Sequence, residues 1–200
     1  MKQTIVSLDL EGVLVPEIWI AVAEKTGIEA LRRTTRDEPD YDLLMRGRLD
    51  IMRENNLKLS DIQNVIASLS PLEGAKGFLD ELRAQTQVVI LSDTFVQFAN
   101  PLMRQLDWPV IFCNHLELMD DVVENYHLRQ PDQKRQSVLA FKSLNYKVIA
   151  AGDSYNDTNM LAEANHGILF RSPKNIQVEF SQFLAVSEYD ELMDLIKDYF

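Results

Sequence analysis

The sequence predicts a doubly wound parallel α/β fold of the Rossmann-like kind, with a helical segment inserted after its first strand. Three observations predict it. Apolar runs at 4–10, 87–92, 109–113, 147–151 and 167–170 are short, nearly continuous and rich in β-branched residues, as strands covered on both faces are. Helical patterns at 74–85, 95–106, 134–144 and 157–164 alternate with them. Finally, Ser92 follows Asp9 by 83 positions, far more than a strand-to-strand crossover needs.

The first run, Ile5-Val6-Ser7-Leu8, leads into Asp9-Leu10-Glu11-Gly12. Helical patterns follow at 17–26, 28–34, 41–55 and 60–68, with breaks near Gly27, Pro39 and Asn55-Asn56. The expected organisation is an α/β catalytic core of residues 1–15 and 71–200 and an inserted helical cap at 16–70, with Pro16 and Pro71 as hinges. Seated over the strand ends, a cap would exclude water and supply substrate contacts. The next run, Val88-Val89-Ile90-Leu91, ends in Ser92-Asp93. Residues 110–128 read as a small antiparallel excursion, turning around Asp120-Asp121. Lys134 opens the amphipathic stretch after it. Val148-Ile149-Ala150-Ala151 runs into Gly152-Asp153-Ser154-Tyr155-Asn156-Asp157, and 188–200 predicts a closing helix.

In such sheets the ligand lies beyond the carboxyl ends of the strands, where strand order reverses. Asp9, Ser92 and Asp153 all fall at that edge. Asp9 is the candidate nucleophile. Glu11 returns to the same side if the backbone stays extended, and there it could protonate a leaving alcohol and deprotonate an acceptor. Ser92 could hydrogen-bond a phosphate oxygen beside the N–H groups of the following helix, and Lys134 could balance the phosphate's charge. Gly152 permits a tight turn, Asp153 can bind a hard cation, and Asp157 faces the same way one helical turn on. Singly, these are ordinary turn and cap residues. Their joint order at the strand ends points to phosphoryl transfer through an aspartyl-phosphate with Mg2+.

Composition bounds the rest. Two hundred residues suit one large domain or a domain with an insertion, enough to bury about 70 % of the unfolded chain's surface. A formal net charge of −11 argues against nucleic acid and against an anionic membrane surface as partners, and leaves small-molecule substrates and the oligomeric state open. Cys113 is the single cysteine, so no disulfide forms within the chain; it reads as a buried free thiol in a reducing cytoplasm. No run approaches the roughly 18 apolar residues of a membrane span. His115, His127 and His166 have no metal-ligand spacing, and the Met and Trp residues within 19–52 read as helix packing.

Asp9-Leu-Glu-Gly-Val-Leu-Val-Pro-Glu-Ile-Trp, Leu91-Ser-Asp-Thr-Phe and Ala151-Gly-Asp-Ser-Tyr-Asn-Asp resemble the haloacid dehalogenase superfamily. Within it the likeness is to the phosphoserine phosphatase branch and its phosphoserine–homoserine phosphotransferases. The resemblance spans essentially the whole chain. It implies that Asp9 is phosphorylated and that Mg2+ is held by Asp9, Asp153 and the main-chain carbonyl of Glu11. Ser92 and Lys134 would bind phosphate, with Asn156 and Asp157 supporting the site from just behind. It also implies Glu17 for the substrate ammonium and Arg48, or failing that Arg46, for the substrate carboxylate; an arginine fork suits that group. Two features depart from most of the family: Glu11 replaces an aspartate, and Asp93-Thr94 follow Ser92 in place of glycines, charging the acceptor side of the pocket. Both match the phosphotransferases, which implies homoserine as an acceptor beside water. The competing reading is a phosphatase for another small ester, such as a phosphosugar. A signalling receiver domain, the non-enzyme alternative, carries its aspartate on a middle strand and has no cap.

Overall fold

β1 (Thr4–Leu8) lies at the centre of the sheet, with β2 (Gln87–Phe95) bonded on one side and β5 (Lys147–Gly152) on the other. The computed structural model describes residues 2–35, 37–38 and 40–200; Pro39, an expected helix break, lies outside the described residues. Beyond β2 come β3 (Val110–Met119) and β4 (Val122–His127), and beyond β5 come β6 (His166–Phe170) and β7 (Leu184–Val186). All neighbours pair in parallel except β3 with β4. The chain winds outward from β1 through β2 to β3 and then crosses to β5, so strand order reverses beside β1.

Successive residues of the central strands feed two cores. Val6, Leu8, Ile90, Ile149 and Ala151 face one; Ile5, Val89, Leu91, Val148 and Ala150 face the other. Burial on both faces is why these strands read as unbroken apolar runs. Helices α4 (Ala75–Arg83), α5 (Val96–Gln105) and α9 (Tyr189–Asp198) cover the first face. Helices α6 (Gln133–Ser143), α7 (Thr158–Glu163) and α8 (Lys174–Glu179) cover the second.

Between β1 and α4 run α1 (Ile18–Thr26), α2 (Tyr41–Glu54) and α3 (Leu59–Ala67). The helix expected over 28–34 is only a 3-10 turn, Glu29–Arg32. Gly27 ends α1 at φ 71°, and the Asp40 carboxylate caps α2 by accepting from Asp42 N (3.0 Å) and Leu43 N (3.1 Å). The inserted helices bury Trp19, Leu49, Met52, Ile62 and Ile66 in the first core, where Trp19 meets Phe98 edge-on at 5.4 Å. Leu72 N donates to Leu14 O (2.9 Å), so the outgoing and returning connections lie side by side.

Two further ties seat the insertion. Pro101 inside α5 has no N–H for the Gln97 carbonyl, and Gln63 Nε2 of α3 donates to it instead (2.9 Å). Asp120 and Asp121, at φ 47° and 68°, make the two-residue turn between β3 and β4. Asp121 then caps α3, its carbonyl accepting from Leu59 N (3.0 Å) and its carboxylate from Ser60 N (3.1 Å) and Ser60 Oγ (2.6 Å).

A further expectation is corrected. Cys113 is half-buried rather than buried, because it lies on the stretch of β3 before β4 begins to pair at His115. Burial, partly offset by Arg129, pushes its thiol up to about 11. Helix α8 and the three-residue edge strand β7 were not legible in the sequence. Among the described residues, no helix is long and apolar enough to cross a membrane.

Candidate active site

Asp9 directly follows β1, and its N–H donates to Ala151 O (2.9 Å), which fixes it level with the end of β5. Its side chain is buried beside Lys134, in the first turn of α6, which is 3 % exposed despite its charge. Lys134 Nζ lies 2.8 Å from Asp9 Oδ1, 2.7 Å from Asp157 Oδ1 and 3.7 Å from Asp93 Oδ2. Asp157 Oδ2 accepts from Asp153 N (3.0 Å) and Ser154 N (3.1 Å). Both Asp157 oxygens therefore serve to hold Lys134 and the turn after β5. Two glycines make this packing possible. A Cβ on Gly152 would sit 2.4 Å from Asp157 Cγ, and one on Gly12, at φ +77°, 2.5 Å from Asp153 Oδ2.

Carboxylate oxygens of Asp9, Asp153 and Asp157 lie within 4.8 Å of one another, and all three residues are buried. Burial, with Asp157 and Asp153 adding to it against Lys134, holds the Asp9 carboxyl well above the usual carboxylate range. For Lys134 burial works against the charge, yet Asp157, Asp9 and Asp93 outweigh it and raise its affinity for the proton. Among the described residues, Lys134 brings one ammonium to Asp9 and Asp157. An all-oxygen, carboxylate-rich set is what Mg2+ takes. Asp157 is engaged by protein donors at both oxygens, whereas Lys134 takes Asp9 at Oδ1.

A cavity of about 470 Å³ opens above the strand ends, and Asp9, Glu11, Glu17, Arg48, Lys134 and Asp153 all line it. Glu11 Oε2 accepts from Ile18 N (2.9 Å) at the start of α1; burial, then Glu17, pushes this carboxyl up to about 8. Arg48 lies on α2 with its guanidinium 4.6 Å from the centre of the Trp19 ring. Its Nη2 donates to Arg33 O (2.7 Å), while its buried Nε has no partner among the described residues. Burial lowers it to about 10. Arg46 is exposed, paired with Asp42 at 2.7 Å, and does not line the cavity. Of the two arginines the sequence leaves open, Arg48 is the one the fold brings to the site.

Ser92, near the end of β2, is buried, and its Oγ accepts from Thr94 N (3.2 Å), leaving its own hydrogen to donate. Asp93 is one-third exposed; Gln133 Nε2 (3.1 Å) and Asn156 Nδ2 (2.9 Å) donate to its carboxylate. Asn156 is thus exposed at the rim rather than behind the site. Gln133 also donates to the Ser92 carbonyl, and Arg129 Nη2 steadies it through Oε1 (3.0 Å). Gln133 and Tyr41 are among the lining residues that the sequence does not mark. Nothing there singles out Gln133 beside Lys134. Tyr41 could have been found, since it precedes Arg48 by seven positions on one helix face.

Comparison with known proteins identifies a family. The haloacid dehalogenase-like hydrolase family matches residues 4–165. Phosphoserine phosphatase ThrH of Pseudomonas aeruginosa is 66% identical over 189 residues, covering 94% of this chain and 92% of that protein. A phosphoserine phosphatase of Pseudomonas syringae pv. tomato is 65% identical over 189 residues, 94% of this chain and 80% of that one. Among solved structures, a phospho-aspartyl intermediate analogue of phosphoserine phosphatase superposes with a TM-score of 0.79 at 19% identity, covering 98% of this chain and 99% of that one. A substrate-bound phosphoserine phosphatase complex gives 0.78 at 19%, with 98% of each chain covered. At that identity these two likenesses concern the fold.

Proposed function

The chain belongs to the haloacid dehalogenase-like hydrolases, and from that premise we propose that it transfers the phosphoryl group of O-phosphoserine through a phosphorylated Asp9 to water and to homoserine. The observation that carries the substrate assignment is Arg48: a buried guanidinium, its Nε without a partner among the described residues, lining the same cavity as Asp9 and Lys134. An amino-acid phosphate needs an anion site for its ammonium, a cation for its carboxylate and a phosphate site at fixed spacing. Glu17, Arg48 and the pair of Ser92 with Lys134 meet those needs. The names of the two Pseudomonas relatives support the same substrate. In this reading residues 16–70 act as the cap over a core of 1–15 and 71–200, and the setting is cytoplasmic.

Asp9 and Asp153, with the main-chain carbonyl of Glu11, would hold Mg2+. Bound there, the ion would offset the repulsion between Asp9 and the incoming phosphate and polarise the phosphoryl oxygens. Asp9 attacks phosphorus in line as the bond to the serine oxygen breaks. Glu11, which carries its proton at neutral pH because burial and Glu17 raise it to about 8, gives that proton to the departing oxygen. Lys134 and Ser92 take up charge on the transferring oxygens, and Asp157 keeps Lys134 in place. Water or the homoserine hydroxyl then attacks the phosphorylated Asp9, losing its proton to Glu11 as the bond to Asp9 breaks.

Incubation with O-phosphoserine and Mg2+, with and without homoserine, tests this by following free phosphate and phosphohomoserine together. Phosphohomoserine formed at the expense of phosphate is the expected result. Phosphate alone would remove the transfer half of the proposal, and neither product would remove the substrate.

A further inference from the structure

Asp93 is held from four directions. Its carboxylate takes Gln133 from α6 and Asn156 from the turn after β5, and its carbonyl accepts from Asn114 Nδ2 of β3 (3.0 Å) and from the Tyr41 hydroxyl (3.0 Å). Three of these partners belong to the α/β layer; Tyr41 belongs to the inserted helices. It opens α2, two turns ahead of Arg48, and both side chains line the cavity. Its ring stands edge-on to Tyr126 of β4 at 6.0 Å, and Tyr126 in turn donates to Asp42. Burial, then Asp93, keeps the Tyr41 hydroxyl above the ordinary tyrosine range, so it stays a donor. The residue bonded to Ser92 and the helix that carries Arg48 are thereby joined through one hydrogen bond.

We infer that Tyr41 is a positioning residue: its hydroxyl locks the inserted helices onto the Ser92-Asp93 segment of β2 and so sets how phosphorylated Asp9 divides between water and a second alcohol. The second clause rests on the proposed phosphoserine chemistry; the lock itself does not. Loosening it opens a water path beside Asp93 on the acceptor side, while the contacts of Asp9 and Lys134 stay as they are.

Tyr41→Phe removes the hydroxyl and keeps the ring on Tyr126. Hydrogen exchange of the unliganded protein is expected to speed up together in peptides covering 41–45 and 92–95, with the thermal midpoint lowered by no more than a few degrees. With phosphoserine and homoserine present, the ratio of phosphate to phosphohomoserine is expected to rise roughly 3- to 10-fold, the worth of one such bond. Unchanged exchange across 92–95 would overturn the lock. Faster exchange with an unchanged product ratio would overturn its role in acceptor choice. Should the wild-type protein leave phosphoserine untouched, the functional reading fails by itself, and exchange still decides the lock.

Discussion

Replacing Gly12 by alanine perturbs Asp153 through its carboxylate. The new Cβ would lie 2.5 Å from Asp153 Oδ2 and 2.7 Å from Cγ, so the carboxylate must retreat by roughly 1 Å to reach ordinary contact. A displacement of that size at a positioning group costs about 100-fold in rate. The backbone contributes separately: φ +77° disfavours an L side chain by roughly 1–2 kcal/mol. In a chain of this length that lowers the melting midpoint by several degrees, about 2–4 °C per kcal/mol. Gly27 is the matched control, with φ +71° and nothing within 4 Å of its Cβ. Phosphate release as a function of Mg2+, with thermal melts, separates the two effects. Gly12→Ala is expected to need at least about tenfold more Mg2+ and to lose about 100-fold in kcat/KM, while Gly27→Ala loses similar stability and keeps its turnover. Gly12→Ala with wild-type Mg2+ dependence and rate would refute the assignment of Asp153.

Further outcomes follow from other contacts. Arg48→Met removes the buried guanidinium and should raise KM for phosphoserine about 100-fold, two charged hydrogen bonds' worth, with a smaller effect on small aryl phosphates that carry no carboxylate; equal losses on both would sink the amino-acid assignment. Tyr189→Phe strands the Val13 carbonyl, which the Tyr189 hydroxyl meets at 2.7 Å in a buried setting, and chemical denaturation should register a loss of about 1–3 kcal/mol. The Cys113 thiol, raised to about 11, is ionised in roughly one molecule per thousand at pH 8. Its alkylation by iodoacetamide should therefore be slow there and accelerate about tenfold per pH unit up to its own pKa; fast labelling at pH 7 would contradict its desolvation.

The parallel sheet was legible because strands buried on both faces must be apolar throughout, and the insertion because the distance from Asp9 to Ser92 exceeds any crossover. Placement at strand ends made Asp9, Ser92 and Asp153 readable as one site. The burial of Lys134 was not, since a lysine in a first helical turn is ordinarily solvated and only the closed fold surrounds it with Asp9, Asp93 and Asp157. The Tyr41 bond spans 52 positions and ends on a backbone carbonyl, which leaves no mark on residue type at the far end. Cys113 misled because an apolar run does not tell where the neighbouring strand begins. Strand β7 was too short and exposed to show a period.

The covalent role of Asp9 is the central claim, and trapping it is the most direct test. Wild-type protein mixed with O-phosphoserine and Mg2+, quenched in acid and digested, should yield the peptide around β1 with one added phosphoryl group on Asp9, removable by hydroxylamine. Asp9→Asn should stay folded, gain no such mass and release no phosphate. Steady phosphate release by Asp9→Asn, or a phosphoryl group on another residue during turnover, would contradict the account.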